Sequence, residues 1–174
     1  MPESRGRLRS LPTRAAEPDD DPLAVFTTLA RTGLFLEALQ RECLEPHGLS
    51  FNEYSVLRLL QRAPDRALAP KALANEIVCT SGAMTKLLDR LQRARRIRRR
   101  PDPADRRGVL IEITRTGDNV AEAAATSYRT GRERVLEHIR PRDVASIGRR
   151  LSTLLDGFEA DHAADPAAGV SGAD

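Results

Sequence analysis

A chain of 174 residues, 40% apolar and with a net charge of +3, has the size of one ordinary domain and the material for a core. Aromatic residues make up 3% and Trp is absent, so the core has to be built from Leu, Val, Ile and Ala, which suits packed helices better than a β-sandwich. Two cysteines exclude a disulfide framework. No apolar run approaches the ~20 residues of a membrane span, and residues 1–21 lack the apolar segment of a secretory leader. The expectation is a cytoplasmic, reduced setting with no membrane partner.

Residues 1–21 set basic Arg5, Arg7, Arg9 and Arg14 before acidic Glu17, Asp19 and Asp20, among prolines, and read as a disordered tail. The first helix is predicted from Asp21-Pro22, a cap followed by a first-position proline. Val25, Leu29, Thr32, Leu36, Leu39 and Cys43 recur at alternating four- and three-residue steps, a seam that packs on another helix. Pro46 and Gly48 close it. Ser50-x-x-Glu53 is a capping box opening a second helix, with Tyr54, Leu57 and Leu60 on one face. Ala63-Pro64-Asp65 turns the chain, and Ala67-Leu68-Ala69 is short and extended.

Pro70 starts a third helix with Leu73, Ala74 and Ile77 inward. Val78-Cys79-Thr80 is the next turn, and Thr80 caps a fourth helix. There Met84, Leu87, Leu88, Leu91 and Ala94 face inward; Ser81, Gly82, Thr85, Lys86, Asp89 and Arg93 face out. Ile97 to Arg100 is a strand, Pro101 to Arg107 a polar tip, and Val109, Ile111 and Ile113 are the inward residues of a returning strand. Thr114 caps a fifth helix with Val120, Ala124, Ser127, Gly131, Val135 and Ile139 along one face. Pro141 begins a sixth, with Val144, Ile147, Leu151, Leu154 and Phe158 in a three-four repeat. Residues 163–174 read as a second tail.

Helix, turn, helix, strand, tip and strand, in that order from Lys71 to Thr114, describe a winged helix-turn-helix, which lays one helix in the DNA major groove. Between Lys86 and Arg107 stand Lys86, Arg90, Arg93, Arg95, Arg96, Arg98, Arg99, Arg100, Arg106 and Arg107 against Asp89, Asp102 and Asp105. That local net charge of +7 on a chain of +3 is the footprint of a polyanion partner. The candidate contacts are Thr80, Ser81, Gly82, Thr85, Lys86, Arg90 and Arg93 on the fourth helix, and Asp105, Arg106 and Arg107 on the wing. Gly82 allows close approach, Thr85 suits a base edge or thymine methyl, and Lys86 suits guanine or phosphate.

The expected fold is mainly α with a small β-wing. Residues 49–114 form the DNA-binding region, and 22–48 with 115–162 form a helical dimerisation region. Val25, Leu29 and Leu36, with Val144, Ile147, Leu151, Leu154 and Phe158, exceed what the small winged unit covers, so a second copy is the expected cover. The expected DNA partner is a double-stranded, pseudo-palindromic operator. Cys43 and His47 fall short of the three or four ligands of a zinc site, so no metal is expected. No cofactor motif and no nucleophile–base constellation is present, and an enzyme is not expected. Two other readings stay open. One is a redox-responsive regulator using Cys79 or Cys43, and the other is a non-specific architectural nucleic-acid binder.

The stretch LANEIVCTSGAMTKLLDRLQRARRIRRRPDPADRRGVLIEITRTG resembles the MarR family of bacterial regulators. The resemblance rests on L-A-x-x-I, on T-K-L-L-D-R-L and on the D-P-A-D-R-R wing with Thr114 seven residues beyond, and the element order fits from about Pro22 to Asp161. It implies a homodimeric DNA-binding regulator, more often a repressor, released by a small aromatic or anionic effector. It also implies that Asp105 orients Arg107 into a minor groove, and that an effector pocket lies between the winged unit and the dimerisation helices. Phe35, Leu39, Tyr54 and Leu57 are the candidate walls. Arg95 stands where the family usually has a glycine. Ser55 replaces the aspartate of urate-sensing members, which also carry a Trp, so urate is not the expected effector.

Overall fold

A computed structural model of the chain describes residues 22–77, 81–105 and 107–164, without the side chains of Ser81 and residues 162–164. Asp21, the Val78-Cys79-Thr80 turn, Arg106, and the predicted tails before residue 22 and after residue 164 lie outside the described residues. The elements are α1 (Pro22–Leu44), a 3-10 turn (Glu45–His47), α2 (Phe51–Arg62), β1 (Ala67–Leu68), α3 (Pro70–Glu76), α4 (Ser81–Arg93), β2 (Ile97–Pro101), β3 (Val109–Ile113), α5 (Arg115–Leu136) and α6 (Pro141–Ala164). This is the expected mainly helical chain with a small antiparallel sheet. At the C-terminal side α6 continues through Ala164, two residues into the stretch expected as a tail.

The backbone divides into two compact units, Met1–Ala38 and Leu39–Asp174. The described part of the first unit is helical and exposes Leu23, Val25, Phe26, Leu34, Phe35 and Leu36. By length and composition, Pro22–His47 is apolar enough to cross a membrane, contrary to the sequence expectation. Arg31, Glu37, Arg41 and Glu42 interrupt the stretch, and an apolar stripe is also what helix-on-helix packing requires.

The second unit holds the core. Leu44, Val56, Leu57, Leu60, Leu73, Leu91 and Ile111 are the largest fully buried side chains. At about 1.5–3 kcal/mol for each buried aliphatic side chain, they anchor α2, α3, α4 and the sheet to one another. The capping box forms at the start of α2: Glu53 N–H donates to Ser50 Oγ (3.3 Å), and Ser50 N–H donates to Glu53 Oε2 (2.9 Å). The sheet has the order β1-β3-β2. Ala67 and Leu68 pair with Glu112 and Ile111, so the short extended stretch is a third strand and not only a connector. On the other side β2 pairs with β3 from Ile97↔Ile113 out to Pro101↔Val109.

Two inward positions differ from expectation. Val109 is exposed, because it pairs with Pro101 at the outer end of the hairpin, beyond the core. Ala94 lies exposed in a turn, because α4 stops at Arg93. That stop is a Schellman closure: Arg96 N–H donates to the Leu91 carbonyl and Arg95 N–H to the Gln92 carbonyl, both at 2.9 Å. Arg95 takes the left-handed conformation it demands, with φ of 56°. The helix therefore ends as it would with glycine, at the cost of a non-glycine residue in that region.

The turn is clamped from below by the start of α5. Thr114 caps α5 by accepting from Gly117 N–H (3.1 Å), and its hydroxyl donates to the Arg95 carbonyl (2.7 Å). A Cβ on Gly117 would stand 2.0 Å from the Arg96 carbonyl oxygen, so only glycine fits there. Relieving the strain should be measurable: Arg95→Gly is expected to raise stability by about 0.5–1 kcal/mol, a few degrees in Tm. An unchanged or lower Tm would show that Arg95 contributes more through its side chain than its backbone costs.

Candidate nucleic-acid interface

Met84, Leu87, Leu88 and Leu91 repeat at helical spacing and are all buried, which fixes the rotation of α4. Its other face is therefore in solvent: Gly82, Thr85, Lys86 and Arg93 are exposed and Asp89 is half-buried. A Cβ at Gly82 would meet nothing within 4 Å, so the protein's own packing does not require a glycine there. Of the other fourth-helix candidates, Thr80 and the side chain of Ser81 lie outside the described residues.

The arginine run divides into two groups that a linear reading does not separate. Arg90 Nε donates to Glu53 Oε1 (2.9 Å), so this guanidinium, expected at the DNA face, joins α4 to the capped end of α2. Arg96 donates to the carbonyls of Gly48 (2.6 Å) and His47 (3.0 Å). Arg98 and Arg100 both pair with Glu112 on β3 (2.7 and 3.0 Å). The Arg98 hydrogen bond is the main cause that holds the Glu112 carboxyl below the usual range. Arg99 pairs with Asp89 (2.8 Å) and donates to Gln92 Oε1 (2.6 Å). Lys86, Arg93, Arg95 and Arg107 have no carboxylate partner among the described residues and are exposed.

The wing tip is held by its two aspartates. Asp102 Oδ1 accepts from Ala104 N–H and Asp105 Oδ1 from Arg107 N–H, each at 2.9 Å. Gly108 N–H donates to the Asp105 carbonyl (2.8 Å), and Asp102 N–H to the Gly108 carbonyl (3.0 Å). Asp105 thus braces the backbone of Arg107. Arg106 lies outside the described residues.

Residues 47–108 match the MarR family model. The regulator PecS of Dickeya dadantii is 34% identical over 101 residues, 57% of this chain and 60% of PecS. The chain therefore spans about three fifths of that relative's length. The repressor YetL of Bacillus subtilis is 31% identical over 138 residues, 79% of this chain and 83% of YetL. The chain belongs to the MarR family. The fold agrees: Sco3205, a MarR family regulator from Streptomyces coelicolor in complex with DNA, superposes with a TM-score of 0.73 at 22% identity, covering 83% of this chain and 91% of that one.

The resemblance implied Phe35, Leu39, Tyr54 and Leu57 as pocket walls, and three of them belong to or pack on one core cluster. Leu57 is fully buried core, Leu39 packs on the core, and Phe35 belongs to the first compact unit. Tyr54 does line a cavity of about 380 Å³, with Phe51, Arg58, Tyr128, Arg129 and Arg132 among its walls and Glu76 at the end of α3. The rings of Phe51 and Tyr54 each meet Tyr128 edge-on (6.1 and 5.8 Å), and the Arg132 guanidinium lies 5.2 Å above the Tyr128 ring. Tyr128 is a wall that the sequence does not reveal, because its ring contact with Tyr54 joins residues far apart in the chain.

Cys43 is buried, and its Sγ lies 2.5 Å from where a Cβ on Gly131 would be. Burial, then Glu42, push its thiol up despite Arg134, which works against thiolate chemistry. His47 Nε2 is hydrogen-bonded with Ser127 Oγ (2.8 Å). Cys79 lies outside the described residues.

Glu53 is the most consequential buried charge. Burial pushes its carboxyl up, but hydrogen bonds from Ser50 N–H, Arg90 and the Ser50 hydroxyl outweigh it and hold it below the ordinary 4.5. A depressed carboxyl stabilises the fold above its unfolded pKa, and that contribution is lost as pH falls through the folded value. Glu53→Gln should cost about 1–2 kcal/mol at pH 7 and flatten the acid limb of the stability curve below pH ~4.5. Parallel acid limbs for variant and wild type would place the acid sensitivity elsewhere.

Proposed function

We propose that this chain is a homodimeric, sequence-specific DNA-binding transcription regulator, a repressor that a small aromatic or anionic effector releases. The observation that carries the reading is the pairing of an outward α4 face (Gly82, Thr85, Lys86, Arg93) with a braced wing presenting Arg107. Such a surface offers base-edge donors and phosphate-seeking cations on one helix and a guanidinium for a narrow minor groove on the hairpin. The described relatives support the role: YetL is a repressor, and Sco3205 was crystallised with DNA.

The dimer is supported by α6. None of its described residues is buried, and Val144, Ile147, Leu151, Leu155 and Phe158 expose an apolar stripe. Leu155 takes the exposed place expected for Leu154, which is half-buried. Apolar side chains in such a row favour a second copy by the area they remove from water. The effector reading is supported by the aromatic and cationic walls around Tyr54 and Tyr128, which suit a flat anion. Glu76, at the end of α3, lines the same cavity.

Selection of bound duplexes from random DNA tests the reading. A dimer should select two inverted half-sites about one helical turn, ~34 Å, apart, with A·T pairs flanking each. Arg107→Ala should keep the half-sites, lose the flank preference and bind at least tenfold more weakly. An unselected pool, or an unchanged flank with normal affinity, would overturn the reading of the helix or of the wing respectively.

A further inference from the structure

The proposed reading accounts for α4 and for the wing tip, but not for what lies between them. At the junction of α4 and β2 is an open groove of about 370 Å³ lined by Asp89, Gln92, Arg93 and Arg99. Asp89 lies three and four residues beyond Lys86 and Thr85, so the groove continues the outward face of the helix. Arg99 reaches it from β2, on the side of the strand opposite the Arg98 and Arg100 pairs with Glu112.

Arg99 is held in place. Its Nη1 donates to Gln92 Oε1 at 2.6 Å and its Nη2 to Asp89 Oδ1 at 2.8 Å. A guanidinium has five donors, and its side chain is still 38% exposed. Beside it, Arg93 Nε donates to the carbonyl of Asp89 at 3.3 Å, which orients the guanidinium without neutralising it. The groove therefore holds two guanidinium groups against one carboxylate, with spare N–H groups toward solvent. Planar N–H forks of this kind match phosphate oxygens.

We infer that the Arg93–Arg99 groove is a clamp for the DNA backbone phosphate running between the helix-filled major groove and the wing-filled minor groove, with Asp89 as a built-in attenuator of its charge. This rests on the reading that α4 and the wing straddle a duplex, because one sugar–phosphate strand must then pass between them. Asp89 performs two tasks. It fixes the Arg99 fork at low entropic cost, and its negative charge lowers attraction to every duplex alike. Sequence-independent affinity is thus held down, while the preference set by the bases that α4 reads is untouched.

The test is a salt titration of wild type, Arg99→Gln, Arg99→Lys and Asp89→Asn on a selected duplex and a scrambled one. Circular dichroism melting of each variant runs alongside. Arg99→Gln should weaken both duplexes by a similar factor, roughly tenfold between variants at low salt, and reduce the log–log salt slope by about 0.9, one phosphate's worth. Arg99→Lys should restore most of the slope. Asp89→Asn should tighten both duplexes several-fold and leave the ratio between them unchanged.

An unchanged slope in Arg99→Gln would overturn the clamp, as would a loss confined to the selected duplex. So would equal losses in the Gln and Lys variants accompanied by equal falls in melting temperature, which would make Arg99 a structural strut. If wild type binds both duplexes alike, the sequence-specific reading fails, while the slope of Arg99→Gln still decides for or against the clamp.

Discussion

A short helix with four large side chains sunk in the core has one orientation open to it. Met84, Leu87, Leu88 and Leu91 hold α4 against α2 and the sheet, and every feature of the candidate interface follows from the face left over. Nothing in the protein's own packing requires Gly82, and Thr85 and Lys86 lie on the exposed surface. The Schellman closure at Arg95 and the Thr114 hydroxyl on the Arg95 carbonyl then set where the helix stops and where β2 begins. Helix and wing are thereby parts of one rigid corner, so a contact made by one constrains the other.

Charge in this corner is divided between holding and binding. Glu53 and Glu112 take Arg90, Arg98 and Arg100 into the framework, and the carbonyls of His47 and Gly48 take Arg96. These pairs are solvent-facing on at least one side and contribute modestly to stability. Their larger effect is on the field: a cation paired with a carboxylate adds less net charge toward a polyanion. Among the described residues of the run, Lys86, Arg93, Arg95 and Arg107 are the exposed cations without a carboxylate partner.

Much of this was legible in the residues alone. The buried stripe of α4 was readable because leucines at helical spacing have one physical meaning, and the Ser50–Glu53 box because its two hydrogen bonds are local. What was illegible depended on distance or on small energies. Arg90 finds Glu53 from 37 positions away, and nothing in a linear run distinguishes it from Arg93. Arg95 obscured the helix end because the left-handed penalty of about 1 kcal/mol is smaller than the gain from closing the helix onto the sheet. The two-residue β1 was too short to identify as a strand without its partner.

The central claim is that the face left over by core packing reads the bases. The most direct test is motif selection on random duplex DNA with a Thr85→Ala, Lys86→Ala double variant beside wild type. The account predicts relaxed preference at one or two base pairs in each half-site, at about 1–3 kcal/mol each, with the melting temperature unchanged because neither side chain is in the core. Selection of the same motif with the same affinity would contradict it and move the reading surface off α4.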